Sequence, residues 1–394
     1  MTVRISPQVL LIALGFVMAS TFSVWNVLLN NFVVERAAFT GKEIGILQSL
    51  REVPGFLAFT AIYLLLFIRE QRFALLFLAV MCAGVAVTGW FPSVYGLYLT
   101  TLVMSVGFHY FETVNQSLTL QWVPKGESAA FMGRVLAWKG AASILAYGAV
   151  WMLMEVLGTS YNTVYMLFGL AGLVAVLALW VATPMFPQHH AQNKSLVLRK
   201  RYWLYYALTF MSGARRQIFI VFAGFMMVEK FGYSVGDISL LFIVNYLFNM
   251  VFAAKIGAWI GKVGERRALT VEYIGLIVVF VGYGLVDNAM LAGALYVVDH
   301  LFFALAIAIK TYFQKIADPK DIASTAGVSF TINHIAAVVI PALLGMLWLV
   351  SPGAVFFIGA GFAGCSLVLS RFVPLIPQPG YEVELRNASA SANS

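Results

Sequence analysis

Charge is what this chain has least of. Of its 394 residues, 11% are Asp, Glu, Lys or Arg and 61% are hydrophobic. A soluble domain carries about 25% charged residues, so the deficit argues against a soluble fold. Cysteine is nearly absent as well. Cys82 and Cys365 both lie inside apolar stretches, which argues against a structural disulfide or a metal site. The chain has no nucleotide-binding loop, no metal-ligand spacing and no serine–histidine arrangement that a soluble face could assemble. An enzyme is therefore not expected, and neither is a cofactor or a bound metal.

Long hydrophobic runs are what the chain does have. A spanning helix needs about 20 apolar residues, and about twelve such runs with short loops use up most of the length. The expected class is an all-α membrane protein whose lipid partner is the bilayer. The net charge of +8 does not point to nucleic acid, because of where the basic residues lie. They gather in alternate loops: Arg69 and Arg72; Lys125 and Arg134; Lys194, Arg199, Lys200 and Arg201; Lys262, Arg266 and Arg267; Lys315 and Lys320. The intervening loops hold Arg36, Lys42 and Lys230. Such alternation marks cytoplasmic loops and places both termini in the cytoplasm. The first apolar stretch runs from about Ile5 to Val33. It is too long for a signal-peptide core and is expected to stay as the first helix.

The runs also repeat. Val34-Glu35-Arg36, Phe39-Thr40 and Glu43-Ile44 match Val228-Glu229-Lys230, Tyr233-Ser234 and Asp237-Ile238, an offset of 194 residues (229 − 35). The same offset carries Arg72-Phe73-Ala74-Leu75 onto Arg266-Arg267-Ala268-Leu269, and Gly133 onto Gly327. Two tandem bundles imply a transporter built from two halves around a central site. The expected organisation is two pseudo-symmetric six-helix bundles, at 1–186 and 202–376. A cytoplasmic linker at 187–201 joins them, and a disordered cytoplasmic tail at 377–394 follows.

The stretch Gly257-Ala258-Trp259-Ile260-Gly261-Lys262-Val263-Gly264-Glu265-Arg266-Arg267 resembles the loop signature of the major facilitator superfamily. Gly257 and Gly261 lie one turn apart and would let a neighbouring helix approach. Gly264 permits a tight turn. The resemblance implies that Gly257, Gly261, Arg266 and Arg267 form a cytoplasmic latch, and that two bundles rock about one site. The equivalent first-half stretch, from Tyr63 to Arg72, keeps the basic character and lacks the glycines. Two marks of the drug–proton antiporter branch are missing: an arginine within helix 4 and a Gly-Pro pair in helix 5.

Ionisable groups inside a span are costly, so each is a functional candidate. Arg215 and Arg216 fall near the middle of helix 7. Consecutive residues point about 100° apart, so one of the two is expected to face the cavity. An arginine there could bind a carboxylate or phosphate, or else pair with a carboxylate on a neighbouring helix. His109, Glu112 and Gln116 share a face of helix 4. Lys139 on helix 5 could neutralise Glu112. Asn26 and Asn30 on helix 1, and Asn245 and Asn249 on helix 8, offer uncharged hydrogen-bonding walls for a substrate. Arg51 and Glu52 form an external gate or a structural charge pair. Glu112, Asp299, His300 and His334 are titratable and suit proton coupling; each histidine could instead only satisfy a backbone carbonyl.

The expected function is secondary active transport of a small solute, anionic or zwitterionic because of the positive charge on helix 7, and coupled to protons. Two alternatives stand beside it. One is facilitated uptake of a neutral solute such as a sugar. The other is a transporter-like sensor or lipid-handling protein that moves nothing soluble. The compact loops point to a bacterial inner membrane, and the protein is expected to act as a monomer.

Overall fold

The computed structural model describes residues 5–123, 128–187, 198–318 and 322–384. Parts of the expected linker and tail, the loop residues Pro124, Lys125 and Lys320, and the histidines His189 and His190 lie outside these. Regular structure among the described residues is helical, apart from one isolated bridge between Gln378 and Tyr381. Fifteen α-helical segments follow one another: α1 (Pro7–Ala37), α2 (Gly41–Phe56), α3 (Ala61–Leu64), α4 (Glu70–Thr88), α5 (Val94–Trp122), α6 (Ser128–Trp151), α7 (Tyr161–Ala182), α8 (Trp203–Ile218), α9 (Gly224–Glu229), α10 (Val235–Val263), α11 (Glu265–Leu285), α12 (Ala289–Phe303), α13 (Ile307–Ile316), α14 (Ile322–Trp348) and α15 (Pro352–Ser370). Among the described residues, nine helical stretches are long and apolar enough to cross a membrane. The shorter pieces arise where a span is interrupted. Pro54 sits inside α2 just before it ends, removing a backbone donor. A π-helical turn, Phe219–Ala223, separates α8 from α9.

The 194-residue repeat is written in the backbone. Ala38 has φ 50 and Gly232 has φ 66, and their numbers differ by 194 (232 − 38). These are left-handed stops at equivalent helix ends. The Phe39 amide reaches the Val33 carbonyl at 3.1 Å, and the Tyr233 amide reaches Met227 at 3.0 Å, again 194 residues apart. A reciprocal capping box opens the next helix in each copy. The Thr40 amide donates to Glu43 Oε2 at 3.0 Å and the Lys42 amide to Thr40 Oγ1 at 3.3 Å. The Ser234 amide donates to Asp237 Oδ2 at 2.9 Å, and the Asp237 amide to Ser234 Oγ at 3.1 Å. Each box satisfies donors that a helix start leaves open.

The chain divides into two compact units. The first holds Met1–Gln192, Gly224–Tyr246 and Pro341–Met346. Within it α4 packs on α5 and α7, and α1 on α6 and α7. Gly45 and Gly345 meet here: a Cβ on either would collide with the other helix's backbone, at the carbonyl of Pro341 or of Gly41. The Ala342 amide, one residue past Pro341, donates to Ser49 Oγ at 3.0 Å.

The second unit holds Asn193–Ala223, Leu247–Ile340 and Leu347–Ser394. There α11 packs on α12 and α15, and α15 on α8. A cluster around Tyr202, Tyr273, Tyr312 and Phe313 fills its interior. Residues 377–384, within the segment expected to be a disordered tail, fold back on this unit. The Glu384 amide donates to the Phe372 carbonyl at 2.8 Å, and the Tyr312 hydroxyl donates to the Glu382 carbonyl at 2.5 Å.

Candidate functional site

Two ion pairs stand out in the first unit. Arg51 and Glu52, neighbours on α2, form an ion pair at 2.5 Å, each 8% exposed. The Ser105 hydroxyl of α5 donates to the Arg51 carbonyl, which ties α2 to α5. One turn along α5, a ring nitrogen of His109 lies within 4.8 Å of a Glu52 carboxylate oxygen. On the same helix Glu112 accepts from Lys139 Nζ of α6 at 2.6 Å. This pair is wetter, with 33% and 22% of the two side chains exposed. Gln116 is exposed, Asn26 half-buried and Asn30 buried. Asn245, also in this unit, is buried.

The second unit holds a different arrangement. Arg215 and Arg216 lie in the last turn of α8, and the π-helical turn follows at once and leads into α9. They point to opposite environments, since Arg215 is 0% exposed and Arg216 is exposed. Arg215 Nη2 lies 3.5 Å from Glu272 Oε1 of α11, also 0% exposed. Its Nε donates to the Met211 carbonyl at 3.2 Å. Its guanidinium carbon stands 4.5 Å from the centre of the Tyr273 ring. Asp299 of α12, likewise 0% exposed, feels the charges of Arg215 and Glu272.

Hydrogen bonding here is incomplete. A 3.5 Å contact is at the weak limit. Arg215 Nη1, Glu272 Oε2 and both Asp299 oxygens have no hydrogen-bond partner among the described residues. The aromatic ring of Phe219, one turn past Arg215, packs on Tyr296 at 4.8 Å and on His300 at 5.2 Å. The arrangement can hold a positive charge against two acids in a dry setting, with donor and acceptor capacity left over.

Glu272 was not singled out in the sequence. It lies only five residues past the charged stretch Glu265–Arg267 and could be mistaken for part of that charge. Its spacing of seven residues, two helical turns, from Glu265 was the available signal. The two remaining histidines both lean on the carbonyl one turn back. His300 Nδ1 is 3.3 Å from Tyr296 O, and His334 Nδ1 is 2.8 Å from Phe330 O. Asn249 is half-buried.

At the signature loop Gly264 has φ 85 and caps α11, a backbone that suits glycine. Arg266 Nη1 pairs with Glu384 Oε2 at 2.7 Å, and Glu265 with Lys315 at 2.6 Å. Arg267 is exposed. A Cβ on Gly257 or Gly261 would meet nothing within 4 Å among the described residues, so the close helix approach expected there is not seen in this structure.

The chain matches the Major Facilitator Superfamily over residues 10–341. It belongs to that family. The solved structures agree on the fold. A D-to-A variant of the nucleoside transporter NupG matches at TM-score 0.77 and 15% identity, covering 93% of this chain and 99% of that one. A bacterial homologue of the human lysosomal transporter Spinster, inward-facing and occupied, matches at 0.67 and 15%, covering 92% and 94%. A POT family transporter in complex with 5-aminolevulinic acid matches at 0.73 and 11%, covering 92% and 94%. Comparison with curated proteins by sequence finds no match. The chain is a multi-pass membrane protein with the fold of these transporters and a transporter by family. The neighbours carry different cargoes, so the shared fold leaves the solute open.

Proposed function

We propose that this protein is a secondary transporter that moves a small anionic or zwitterionic solute by alternating access, driven by protons. The observation that supports it best is the split between two adjacent arginines. Arg215 is sequestered with Glu272, while Arg216 is exposed at the end of the same membrane helix. A guanidinium turned toward acyl chains is costly, so Arg216 is read as facing water. From there its planar fork can take a carboxylate or phosphate. Asn26, Asn30, His109, Gln116, Asn245 and Asn249 supply neutral hydrogen bonds around the solute. The Glu112–Lys139 pair, wetter than the others, exchanges partners as the solute passes. Asp299, its neighbour His300, and His334 on α14 serve the proton. The protein works as a monomer in a bacterial inner membrane with both termini cytoplasmic.

The test is uptake into proteoliposomes of labelled small carboxylates, phosphates, amino acids and sugars. A carboxylate, phosphate or amino acid should accumulate. Arg216→Ala should cut that uptake at least about tenfold, matching loss of one charge-assisted contact, with normal yield of folded protein. Arg216→Lys should fall between, because it keeps charge and loses the fork. Uptake of a neutral sugar alone, unchanged in Arg216→Ala, would contradict the proposal and favour neutral-solute transport.

A further inference from the structure

Helix α13 of the second unit reverses what lipid contact asks of a membrane helix. Its buried residues are Ala308, Ile309, Tyr312, Phe313 and Ile316, which share one side at about 100° per residue. The other side shows Ile307, Lys310 and Gln314, all exposed, with Thr311 half-buried between them. These residues lie within the apolar span Ala289–Ile316. Acyl chains offer an ammonium or an amide nothing, so a polar exposed face inside a span marks a water-filled path. Lys315, in the last turn, is paired with Glu265 at 2.6 Å. The Lys310 side chain has no ion-pair or hydrogen-bond partner among the described residues. The carboxylates on the unit's membrane helices, Glu265, Glu272 and Asp299, are all buried.

A second polar stripe lies on α8. Tyr205, Thr209, Ser212 and Arg216 recur at spacings of four, three and four, which puts them on one side of the helix. The stripes meet at Tyr205. Its ring stacks on Phe313 of α13 at 4.2 Å, and its hydroxyl accepts from Ser329 Oγ of α14 at 3.0 Å. The Asp318 amide donates to the Tyr202 hydroxyl at 3.0 Å, so the start of α8 lies beside the end of α13 and the two run antiparallel. From the Tyr205–Phe313 contact, Arg216 is eleven residues along α8 and Lys310 three residues back along α13. At about 1.5 Å per residue the two cations sit about 12 Å apart in depth. Asn333 of α14, exposed, stands between these levels: a Cβ on Gly213 would come within 2.7 Å of its Oδ1.

We propose that Lys310 is a second anion station. It takes the carboxylate or phosphate of the solute from Arg216 on the way to the end of the span where α8 begins. That the anion is the solute rests on the function proposed above; that Lys310 draws anions onto a wet face does not. One small solute cannot bridge both cations, so they act in succession. The residue types suit that order. The planar fork of an arginine holds a carboxylate at two points, whereas a lysine is a mobile point charge that holds and lets go at one.

Thiol labelling of the purified, full-length protein tests the site without any solute. The background is Cys365→Ser, in which the remaining Cys82 is buried. Gln314→Cys, one turn from Lys310, is treated with methanethiosulfonate reagents of opposite charge. Both should react, and the ratio of anionic to cationic rate should fall at least about threefold when Lys310→Gln is added. Lys310→Arg should restore it. If Gln314→Cys is not recovered, Thr311→Cys reads the same ratio. No labelling at either position, or a ratio indifferent to Lys310→Gln, would overturn the proposal. In proteoliposomes Lys310→Gln should keep the KM of the accumulated solute near wild type and cut the maximal rate about tenfold, with partial rescue in Lys310→Arg. An unchanged maximal rate would overturn the station as well. A charge-dependent labelling ratio in a protein that moves no anion would contradict the proposed function alone.

Discussion

In the first unit Arg51 is matched by Glu52, and Lys139 by Glu112. In the second, Arg215 meets Glu272 at 3.5 Å, and Asp299 is buried without a hydrogen-bond partner among the described residues. The two copies of the 194-residue repeat share a backbone down to equivalent left-handed residues and capping boxes, both of which lie in the first unit, yet the charges do not repeat. Shifted back by 194, Arg215, Glu272 and Asp299 fall on Thr21, Leu78 and Ser105. Shifted forward, Arg51 and Glu52 fall on Asn245 and Tyr246. The scaffold was duplicated and the ionisable groups were placed on each copy separately. Burial differs as well. Of these groups, Arg215, Glu272 and Asp299 are the driest and the Glu112–Lys139 pair is the wettest.

The sharpest way to break this comparison is to remove both acids of the second unit. The double variant Glu272→Gln with Asp299→Asn leaves Arg215 buried without a counter-charge. Stranding a buried charge costs about 3–5 kcal/mol, so folded protein should be largely lost on size exclusion, while each single variant is recovered normally. Equal recovery of single and double variants would mean the trio is not electrostatically linked.

Next in size, Arg51→Ala strands Glu52 at a site that retains some exposure. The loss should be about 1–3 kcal/mol, visible as a lower midpoint in thermal unfolding. It should stay smaller than the effect of Arg215→Ala. The reverse order would show that the first unit carries the more important charge.

The Glu112–Lys139 pair should matter least to stability. Partly exposed pairs contribute about 0–1 kcal/mol, so Glu112→Gln should unfold near the wild-type midpoint. Its effect should be on uptake. The capping boxes give the finest comparison. Glu43→Ala and Asp237→Ala each remove the same reciprocal contact from one copy. Each should cost about 1 kcal/mol, and the two should agree closely. A large disagreement would mean the two copies of the repeat do not carry the same local energetics.

Much of the fold was legible in the sequence. Apolar runs of spanning length, alternating basic loops and the 194-residue repeat are one-dimensional signals, and they carry the helical bundle class directly. The repeat even foretold which helix ends would match, because Thr40–Glu43 and Ser234–Asp237 are local cap residues. The interrupted spans were less visible, since the π-helical turn after Ile218 leaves hydrophobicity unchanged. The pairing of Glu112 with Lys139 could be foreseen from mid-depth placement on successive helices. The division between Arg215 and Arg216 could not, because adjacent residues of equal chemistry differ only in what packs around them. Glu272 was missed for a related reason: its sequence neighbours are loop charges, and only the packing of α11 on α12 and α15 takes it out of water. Nor could Arg266 have been paired with Glu384, 118 residues away, without the tail folding back.

The most direct test of the coupling is proton movement during solute flux. Proteoliposomes carrying a pH-sensitive dye would receive whichever labelled solute the wild type accumulates. The wild type should acidify the lumen as solute enters. Asp299→Asn should still exchange solute across the membrane but move no protons with it. Lumen acidification by Asp299→Asn at the wild-type rate would contradict the proposed assignment of the transported proton to Asp299.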